Sequence, residues 1–253
     1  MQVEGPSVTD NPAESATASF RSDMTVELVK HSAADSDVLW AARVSTAGEQ
    51  SLEELTKDPE RSKGLINYLM RDRHGSPFEH NSMTFFISAP IFVFREFMRH
   101  RVGWSYNEES GRYRELQPVF YVPAESRKLV QQGRPGKYRF VEGTQAQQEL
   151  TGKVMEDAYV HAYEAYQEML DAGVAREVAR SVLPVGLYSS MYATCNARSL
   201  MHFLGLRTQH EQAAVPSFPQ REIEMVGELM EAQWTALMPL THAAFNANGR
   251  VAP

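Results

Sequence analysis

The residues whose types are best suited to binding or catalysis lie between positions 99 and 113. The sequence there is Arg-His-Arg-Val-Gly-Trp-Ser-Tyr-Asn-Glu-Glu-Ser-Gly-Arg-Tyr. Arg99 and Arg101 open this segment, and Arg112 lies near its end. Arginine presents a planar fork of donors that suits phosphate and carboxylate oxygens. The Asn, Glu and Ser side chains between them could bind a pyrimidine edge or a ribose. A solvated charged loop and a phosphate-ligand site both fit, although Trp104 and its neighbouring tyrosines would be costly to leave in water.

A second group of candidate residues lies in residues 196–207, Asn-Ala-Arg-Ser-Leu-Met-His-Phe-Leu-Gly-Leu-Arg. Asn196 is predicted to stand at a helix N-terminus, where free backbone N–H groups and the helix dipole favour anions. Arg198 and His202 are one helical turn apart and therefore share a face. Arg207 follows the helix. Taken alone, this pattern is a weak indication of an anion site.

Other side chains that could bind a ligand or react are weaker indications of a functional site. Arg180 can be explained by a surface ion pair with Glu177. The turn over 74–80 contains two His and one Glu, but no His-x-x-x-His or His-Glu-x-x-His spacing occurs in the chain, so we expect no metal site. Cys195 lies on a predicted buried strand and is expected to be a core residue rather than a nucleophile. Ser110 has no Gly-x-Ser-x-Gly surroundings, which disfavours a serine hydrolase.

Hydrophobic periodicity and end signals predict the elements that position these residues. We expect strands over 24–29, 82–88 and 187–195, and helices over 35–43, 144–172, 174–183 and 197–206. Thr144 is predicted to cap the helix that runs to residue 172, Asp58 to cap another helix, and Pro219 to start the last one. Residues 103–114 are predicted to form a loop, and residues 117–143 a mostly irregular connection. Without a strict alternation of strands and helices, the class is α+β, with a mixed or antiparallel sheet and long helices.

Composition limits the function classes. The chain has 253 residues, 25 Lys and Arg against 32 Asp and Glu, and a net charge of −7. An acidic chain is repelled by duplex nucleic acid and by anionic membranes, so neither is an expected partner. A single cysteine fits a reducing compartment, and we expect a cytoplasmic protein. We predict a disordered leader over residues 1–20 and a single domain over 21–253.

Taken together, these motifs resemble the flavin-dependent thymidylate synthases. That family's signature is Arg-His-Arg, a short spacer, and a Ser closely followed by Arg, as in Arg99-His100-Arg101 and Ser110-Gly111-Arg112. The match includes residues 74–80, 179–184 and 196–200, in the expected order, and covers roughly residues 24 to 234. The resemblance implies a homotetramer with active sites shared between subunits, and bound FAD. It also implies that NADPH reduces the flavin and that 5,10-methylenetetrahydrofolate donates the carbon that converts dUMP to dTMP.

The resemblance assigns roles to individual positions. Flavin is expected to contact Ser76, Glu79, Arg99, His100, Arg101, Asn107, Glu108, Asn196, Arg198 and His202. The dUMP substrate is expected to contact Glu96, Arg99, Glu108, Glu109, Ser110, Gly111, Arg112, Arg180 and Arg207. Ser110 and Arg112 would bind the phosphate. Arg207 is the expected catalytic residue, which would face the pyrimidine and stabilise the negative charge that develops when N3 loses its proton.

This sequence departs from the family pattern at three points. Its spacer between Arg101 and Ser110 is one residue longer than usual, which predicts a small bulge at residues 103–104. Glu96 stands where many members have Gln, and His202 where Asn is common. The alternatives are a non-catalytic nucleotide- or single-strand nucleic-acid-binding module and, less favoured, a metal-dependent hydrolase.

Overall fold

The computed structural model describes residues 17–48, 57–134 and 137–253. The chain divides into two compact units. The described part of the smaller unit consists of residues 17–22, 111–129 and 142–188, and that of the larger unit of residues 23–48, 57–110, 130–134, 137–141 and 189–253. Residues 1–16 of the predicted leader lie outside the described residues. The leader prediction needs a correction at its end, because residues 19 and 20 belong to a strand.

The smaller unit is built on one long helix. Strands β1 (Ser19–Arg21) and β5 (Val119–Tyr121) pair in parallel, and helix α4 (Gln145–Asp171) precedes the short helix α5 (Arg176–Ala179). Thr144 caps α4, because its side chain accepts a hydrogen bond from Gln147 N at 3.2 Å. Tyr159, Tyr163 and Tyr166 are buried at helical spacing along α4, and the Tyr159 and Phe120 rings stack at 4.9 Å. Aromatic burial therefore forms the core of this unit.

The larger unit holds the remaining elements. Its first half contains β2 (Thr25–Ser32), α1 (Asp35–Ala47), α2 (Pro59–Arg71), β3 (Ser82–Pro90), α3 (Ile91–Phe97) and β4 (Trp104–Glu108). A hairpin of β6 (Val130–Arg134) and β7 (Lys137–Val141) follows. The second half contains β8 (Tyr188–Cys195), α6 (Ala197–Arg207), α7 (Arg221–Leu237) and α8 (Pro239–Ala247). A four-stranded sheet with the order β2-β3-β8-β4 runs through this unit.

The sheet of the larger unit is covered by apolar side chains. Strand β3 alternates between buried and less buried residues, as expected for a strand with one face in a core. Phe85, Ile87, Phe97, Phe203 and Trp234 are fully buried. Helix α6 packs against α7, and α7 packs against β2. The core therefore holds α3 and α6, the two helices that carry Glu96 and Arg207.

Four element predictions were wrong in detail. The helix predicted to start at Pro219 and to be the last begins at Arg221, and α8 follows it. Trp104–Glu108 is not a loop but strand β4, which pairs with β8 because Trp104 and Tyr106 alternate with more exposed residues. The connection over 117–143 contains β5 and the β6–β7 hairpin. The helix predicted over 174–183 shortens to α5 and a 3₁₀ turn over Arg180–Val182, since the following Pro184 disfavours helical backbone at Leu183.

The predicted fold class is confirmed. In the described part of the chain, helices combine with the parallel pair β1–β5 and with antiparallel strand pairs, which is an α+β arrangement. The prediction of a single domain over 21–253 stays a prediction. Among the described residues, no helix has the length and apolar character needed to cross a membrane.

Candidate active site

Arg207 is the centre of a polar cluster in the larger unit. Its Nε donates to His100 Nε2 at 3.1 Å, and one terminal nitrogen forms an ion pair with the Glu96 carboxylate. The other terminal nitrogen reaches the Glu96 carbonyl oxygen at 3.5 Å. The Arg207 and Glu96 side chains are only 17% and 29% exposed. Helix α6 ends at Arg207 and α3 carries Glu96, so two packed helices fix this cluster.

His100 is neutral in this cluster. Burial, followed by the positive charge of Arg207 and then His202, lowers the pKa of His100 from 6.5 to about 4. Because Nε2 accepts the Arg207 N–H, the ring proton is assigned to Nδ1. The ring also lies edge-on to Phe203 at 4.9 Å, and Phe203 stacks on Phe97 at 4.6 Å. Aromatic packing therefore holds a neutral imidazole against the guanidinium.

The N-terminus of α6 holds the second cluster. Asn196 caps the helix, since its side-chain oxygen accepts from Ser199 N at 2.9 Å, as predicted. Arg198 Nε donates to the Pro253 carbonyl oxygen at 2.6 Å, and its terminal nitrogen forms an ion pair with Glu79 at 2.5 Å. Glu79 ends a 3₁₀ turn that begins at Ser76. The structure thus brings Glu79 and Arg198, both assigned to flavin by the resemblance, into contact.

A tight turn at Gly103 attaches the Arg-His-Arg segment to the start of α6. Gly103 has a φ of +69°, and Ser199 Oγ donates to the Val102 carbonyl oxygen at 2.9 Å. A Cβ on Gly103 would lie 2.1 Å from Ser199 Oγ. The extra spacer residue was predicted to form a bulge at residues 103–104; the structure has a turn at Val102 and Gly103, and β4 then pairs with β8 in continuous register from Trp104 to Glu108. The extra spacer residue therefore does not interrupt the strand.

Strand β4 separates two of the residues assigned to flavin. Neighbouring side chains on a strand point to opposite faces, so Asn107 and Glu108 do not share a face. Asn107 is exposed and Glu108 is half-buried. Beyond the strand, Glu109 Oε2 accepts from Ser190 Oγ at 3.2 Å, and Glu109 N donates to the Ser190 carbonyl oxygen at 2.8 Å. Ser110, which follows, is half-buried.

The smaller unit contains the other residues assigned to dUMP. Arg112 Nε pairs with Glu177 at 3.0 Å, and both side chains are at least half exposed. Glu177 had been the expected partner of Arg180, so that explanation is replaced by the pair with Arg112. Gly111 is buried beside Arg180, because a Cβ there would lie 3.2 Å from Arg180 Cδ. The structure therefore brings Gly111 and Arg180 together.

The donor chemistry of the larger unit fits a flavin dinucleotide. Arg99 and Arg101 are exposed and have no side-chain hydrogen bond within the described part of the chain. Exposed Ser76 and His202 add polar groups, and burial together with Arg198 lowers the pKa of His202. Cationic forks beside a capped helix N-terminus suit a diphosphate. In residues 17–48, 57–134 and 137–253, no three His, Cys, Asp or Glu side chains are placed to bind a metal ion.

Sequence reasoning missed Tyr106 and Arg250. Tyr106 OH donates to the carbonyl oxygens of Phe97 at 3.1 Å and His100 at 2.8 Å, which ties β4 to the Arg-His-Arg segment. Burial raises the pKa of Tyr106, so the hydroxyl stays protonated and keeps donating. Arg250 is buried and donates to Thr208, the residue that follows Arg207. The alternation of Trp104 and Tyr106 with polar residues could have indicated a strand and a buried Tyr106, whereas no local pattern marks Arg250.

Comparison with known proteins gives a consistent result. Residues 27–240 match the family described as thymidylate synthase complementing protein. A flavin-dependent thymidylate synthase from Streptomyces avermitilis is 88% identical over 97% of this chain and 100% of that relative. The enzyme of the same name from Streptomyces coelicolor is 83% identical over the same shares. The chain belongs to the flavin-dependent thymidylate synthase family. This confirms the resemblance inferred from the motifs.

A solved relative has the same fold. The UMP/dUMP methylase PolB from Streptomyces cacaoi, bound with 5-Br dUMP, has a TM-score of 0.87 and 58% sequence identity, over 93% of this chain and 100% of that one. Its complex with 5-Br UMP has a TM-score of 0.85 and 56% identity, over 94% of this chain and 100% of that one. At this identity the likeness extends beyond the fold to the family.

Proposed function

We propose that this chain is a flavin-dependent thymidylate synthase that converts dUMP to dTMP. Its 88% identity to a full-length relative of that name carries the proposal. A solved relative described as a dUMP methylase supports the same substrate. The non-catalytic binding module is not favoured, because it leaves the half-buried cluster of Glu96, His100 and Arg207 unexplained. The finer parts of the proposal are FAD as the flavin, NADPH as its reductant and 5,10-methylenetetrahydrofolate as the carbon donor.

Flavin, when bound, supplies the hydride chemistry of the reaction. The protein's own task is to bind and orient the partners. We assign flavin binding to the residues grouped at the start of α6 and in the Arg-His-Arg segment. This set is Ser76, Glu79, Arg99, His100, Arg101, Asn107, Glu108, Asn196, Arg198 and His202. The ion pair between Glu79 and Arg198 and the Asn196 cap support the assignment, because they hold these donors in a fixed arrangement.

Arg207 is proposed to act on the pyrimidine. A fixed guanidinium favours loss of the uracil N3 proton, since it stabilises the resulting negative charge. Lowering the N3 pKa by two or three units requires roughly 3–4 kcal/mol. The neutral His100 adds no competing positive charge beside Arg207, whereas the Glu96 carboxylate compensates part of it. This balance supports an arginine whose charge is held in place until an anionic substrate binds.

The remaining dUMP assignments are proposed from the resemblance. In the larger unit they are Glu96, Arg99, Glu108, Glu109 and Ser110, and in the smaller unit Gly111, Arg112 and Arg180. The exposed guanidinium of Arg112 suits a phosphate, because it can exchange its pair with Glu177 for a doubly charged group. We also propose a cytoplasmic homotetramer with active sites shared between subunits, as the resemblance implies.

The test is a turnover assay with purified protein. dUMP, 5,10-methylenetetrahydrofolate and NADPH are supplied with and without FAD, and dTMP is quantified. We expect dTMP only with flavin, and a flavin absorbance band in the protein. UMP is run in parallel, because the solved relative is described as a UMP/dUMP methylase. Protein that takes up no FAD and forms no dTMP would contradict the proposal.

The Arg207→Ala variant tests the catalytic role. It should bind flavin as the wild type does and lose measurable dTMP formation. Arg139→Ala, in the exposed β7 strand, is the matched arginine control. Unchanged dTMP formation by Arg207→Ala would remove this residue from the mechanism.

A further inference from the structure

Arg250 is a buried arginine outside the residues assigned so far. Its side chain is 1% exposed, and its two terminal nitrogens donate to the two Glu231 carboxylate oxygens at 2.6 and 2.8 Å. Asn246 Oδ1 accepts a further hydrogen bond at 2.7 Å, and His242 lies 2.8 Å from Glu231. Burial favours a protonated Glu231, but the hydrogen bonds from Arg250 and His242 outweigh it and lower the pKa of Glu231 to about 2. Arg250 and Glu231 thus form a fixed ionic anchor.

The anchor reaches the residue that follows Arg207. Arg250 donates to Thr208 Oγ1 at 2.9 Å, and that hydroxyl donates to the Leu204 carbonyl oxygen at 2.7 Å. Ser217 Oγ donates to the Thr208 carbonyl oxygen at 2.5 Å. Thr208 is therefore held on both its side chain and its backbone. Since Arg207 is its direct neighbour, these bonds also fix the end of α6 from which the Arg207 side chain extends.

The rest of the segment Gly249–Pro253 lies along the same helix. A Cβ on Gly205 would lie 2.8 Å from the Arg250 carbonyl oxygen, so close contact there requires glycine. At the other end of α6, the Pro253 carbonyl oxygen accepts from Arg198 Nε at 2.6 Å. The segment thus contacts α6 near Arg207 and near Arg198, which are the proposed catalytic arginine and one of the proposed flavin-binding arginines.

The backbone conformation of Arg250 indicates that the surrounding contacts hold this residue firmly in place. Its φ is +55°, a left-handed conformation that residues other than glycine rarely adopt. Such a residue persists only where its surroundings over-determine it, and it is found mainly at functional sites. Here, four hydrogen bonds from the buried guanidinium hold Arg250 in this conformation.

We propose that Arg250 is a positioning residue for Arg207, acting through the Thr208 hydroxyl to hold the guanidinium against His100 and Glu96. This role rests on the proposed function, since Arg207 matters only as the arginine that acts on the substrate. The position of Arg207 can be followed through the pKa of His100, because His100 accepts the hydrogen bond from Arg207 Nε. The other charged or titratable groups around it are Glu96 and His202.

Thr208→Val is the central variant, because it removes the hydroxyl and keeps the shape of the side chain. We expect kcat for dTMP formation to fall about tenfold, which corresponds to roughly 1.4 kcal/mol, with flavin uptake unchanged. Thr208→Ser, which restores the hydroxyl, should recover most of kcat. Arg250→Lys keeps the charge but loses the fork, and should resemble Thr208→Val. Arg139→Ala is the control that should match the wild type.

The second measurement uses flavin-free protein. The pKa of the His100 ring is followed by NMR, with the signal assigned by its loss in His100→Gln. Release of Arg207 removes a neighbouring positive charge, so Thr208→Val should raise the pKa of His100, whereas Thr208→Ser should leave it near the wild-type value. The melting temperature of each variant is recorded to confirm folding.

The two measurements separate the possible failures. If Thr208→Val lowers only the melting temperature, Arg250 is merely structural and the proposal is overturned. A lower kcat with an unchanged His100 pKa would also overturn it, since the effect would not pass through Arg207. If the wild type forms no dTMP but Thr208→Val still raises the His100 pKa, the positioning holds and the proposed reaction is wrong.

Discussion

Replacing Gly103 with Ala should disturb the point at which the Arg-His-Arg segment meets α6. Gly103 has a φ of +69°, and the added Cβ would lie 2.1 Å from Ser199 Oγ. The next nearest atoms are Asn196 Nδ2 at 3.2 Å and Ser199 Cβ at 3.3 Å, which need only a small adjustment. The conflict is therefore confined to one hydroxyl and one backbone conformation.

The size of the effect follows from these two contributions. A left-handed backbone costs a non-glycine residue about 1–2 kcal/mol. Moving Ser199 Oγ away breaks its hydrogen bond to the Val102 carbonyl oxygen, which contributes about 1 kcal/mol. The free energy of unfolding should therefore fall by about 2–3 kcal/mol for Gly103→Ala. Gly64→Ala is the matched control, because Gly64 lies inside α2 with nothing near its Cβ position. That variant should gain about 0.5–1 kcal/mol from helix propensity.

Denaturant unfolding of the flavin-free protein measures both values. A double-mutant cycle with Ser199→Ala isolates the hydroxyl. Once Oγ is absent, Gly103→Ala should cost about 1 kcal/mol less than in the wild type. We also expect Gly103→Ala to bind flavin more weakly than Gly64→Ala, because Arg99 and Arg101 lie just before the disturbed turn. Equal stability of Gly103→Ala and the wild type, or a cycle without coupling, would refute the reasoning.

Three further substitutions test other parts of the structure. Cys195→Ala should keep most dTMP formation, since Cys195 is buried and burial raises the pKa of its thiol, which disfavours the nucleophilic thiolate; complete loss would restore a cysteine nucleophile. Glu96→Gln removes the negative charge that pairs with Arg207 but keeps a polar amide that can contact dUMP, so steady-state kinetics should show a lower KM for this anionic substrate; a higher KM would mean that substrate binding needs the negative charge of Glu96. Thr144→Ala should lower the stability of α4 by about 1 kcal/mol, measured by thermal unfolding, without changing kcat; a changed kcat would contradict a purely local cap.

The sequence correctly predicted those features that depend only on residues close together in the chain. Asp58, Thr144 and Asn196 all cap the helices that they were predicted to cap, because a cap needs only a side-chain oxygen and a backbone N–H a few residues away. Strand β4 was missed for the opposite reason. Its partner β8 lies far along the chain, and its polar residues between aromatic ones are also typical of a loop.

The sequence motifs identified most residues of the candidate site but not the residues that hold them in place. Arg207, His100 and Glu96 were each identified from the sequence, yet their contact depends on how α3 and α6 pack. Arg250 was missed, because nothing near it in the sequence shows that its charge is buried against Glu231. A buried ion pair is costly unless the geometry satisfies its donors, so its location is a property of the tertiary structure. The residues that carry the chemistry can thus be found from motifs, whereas those that hold them in place require the fold.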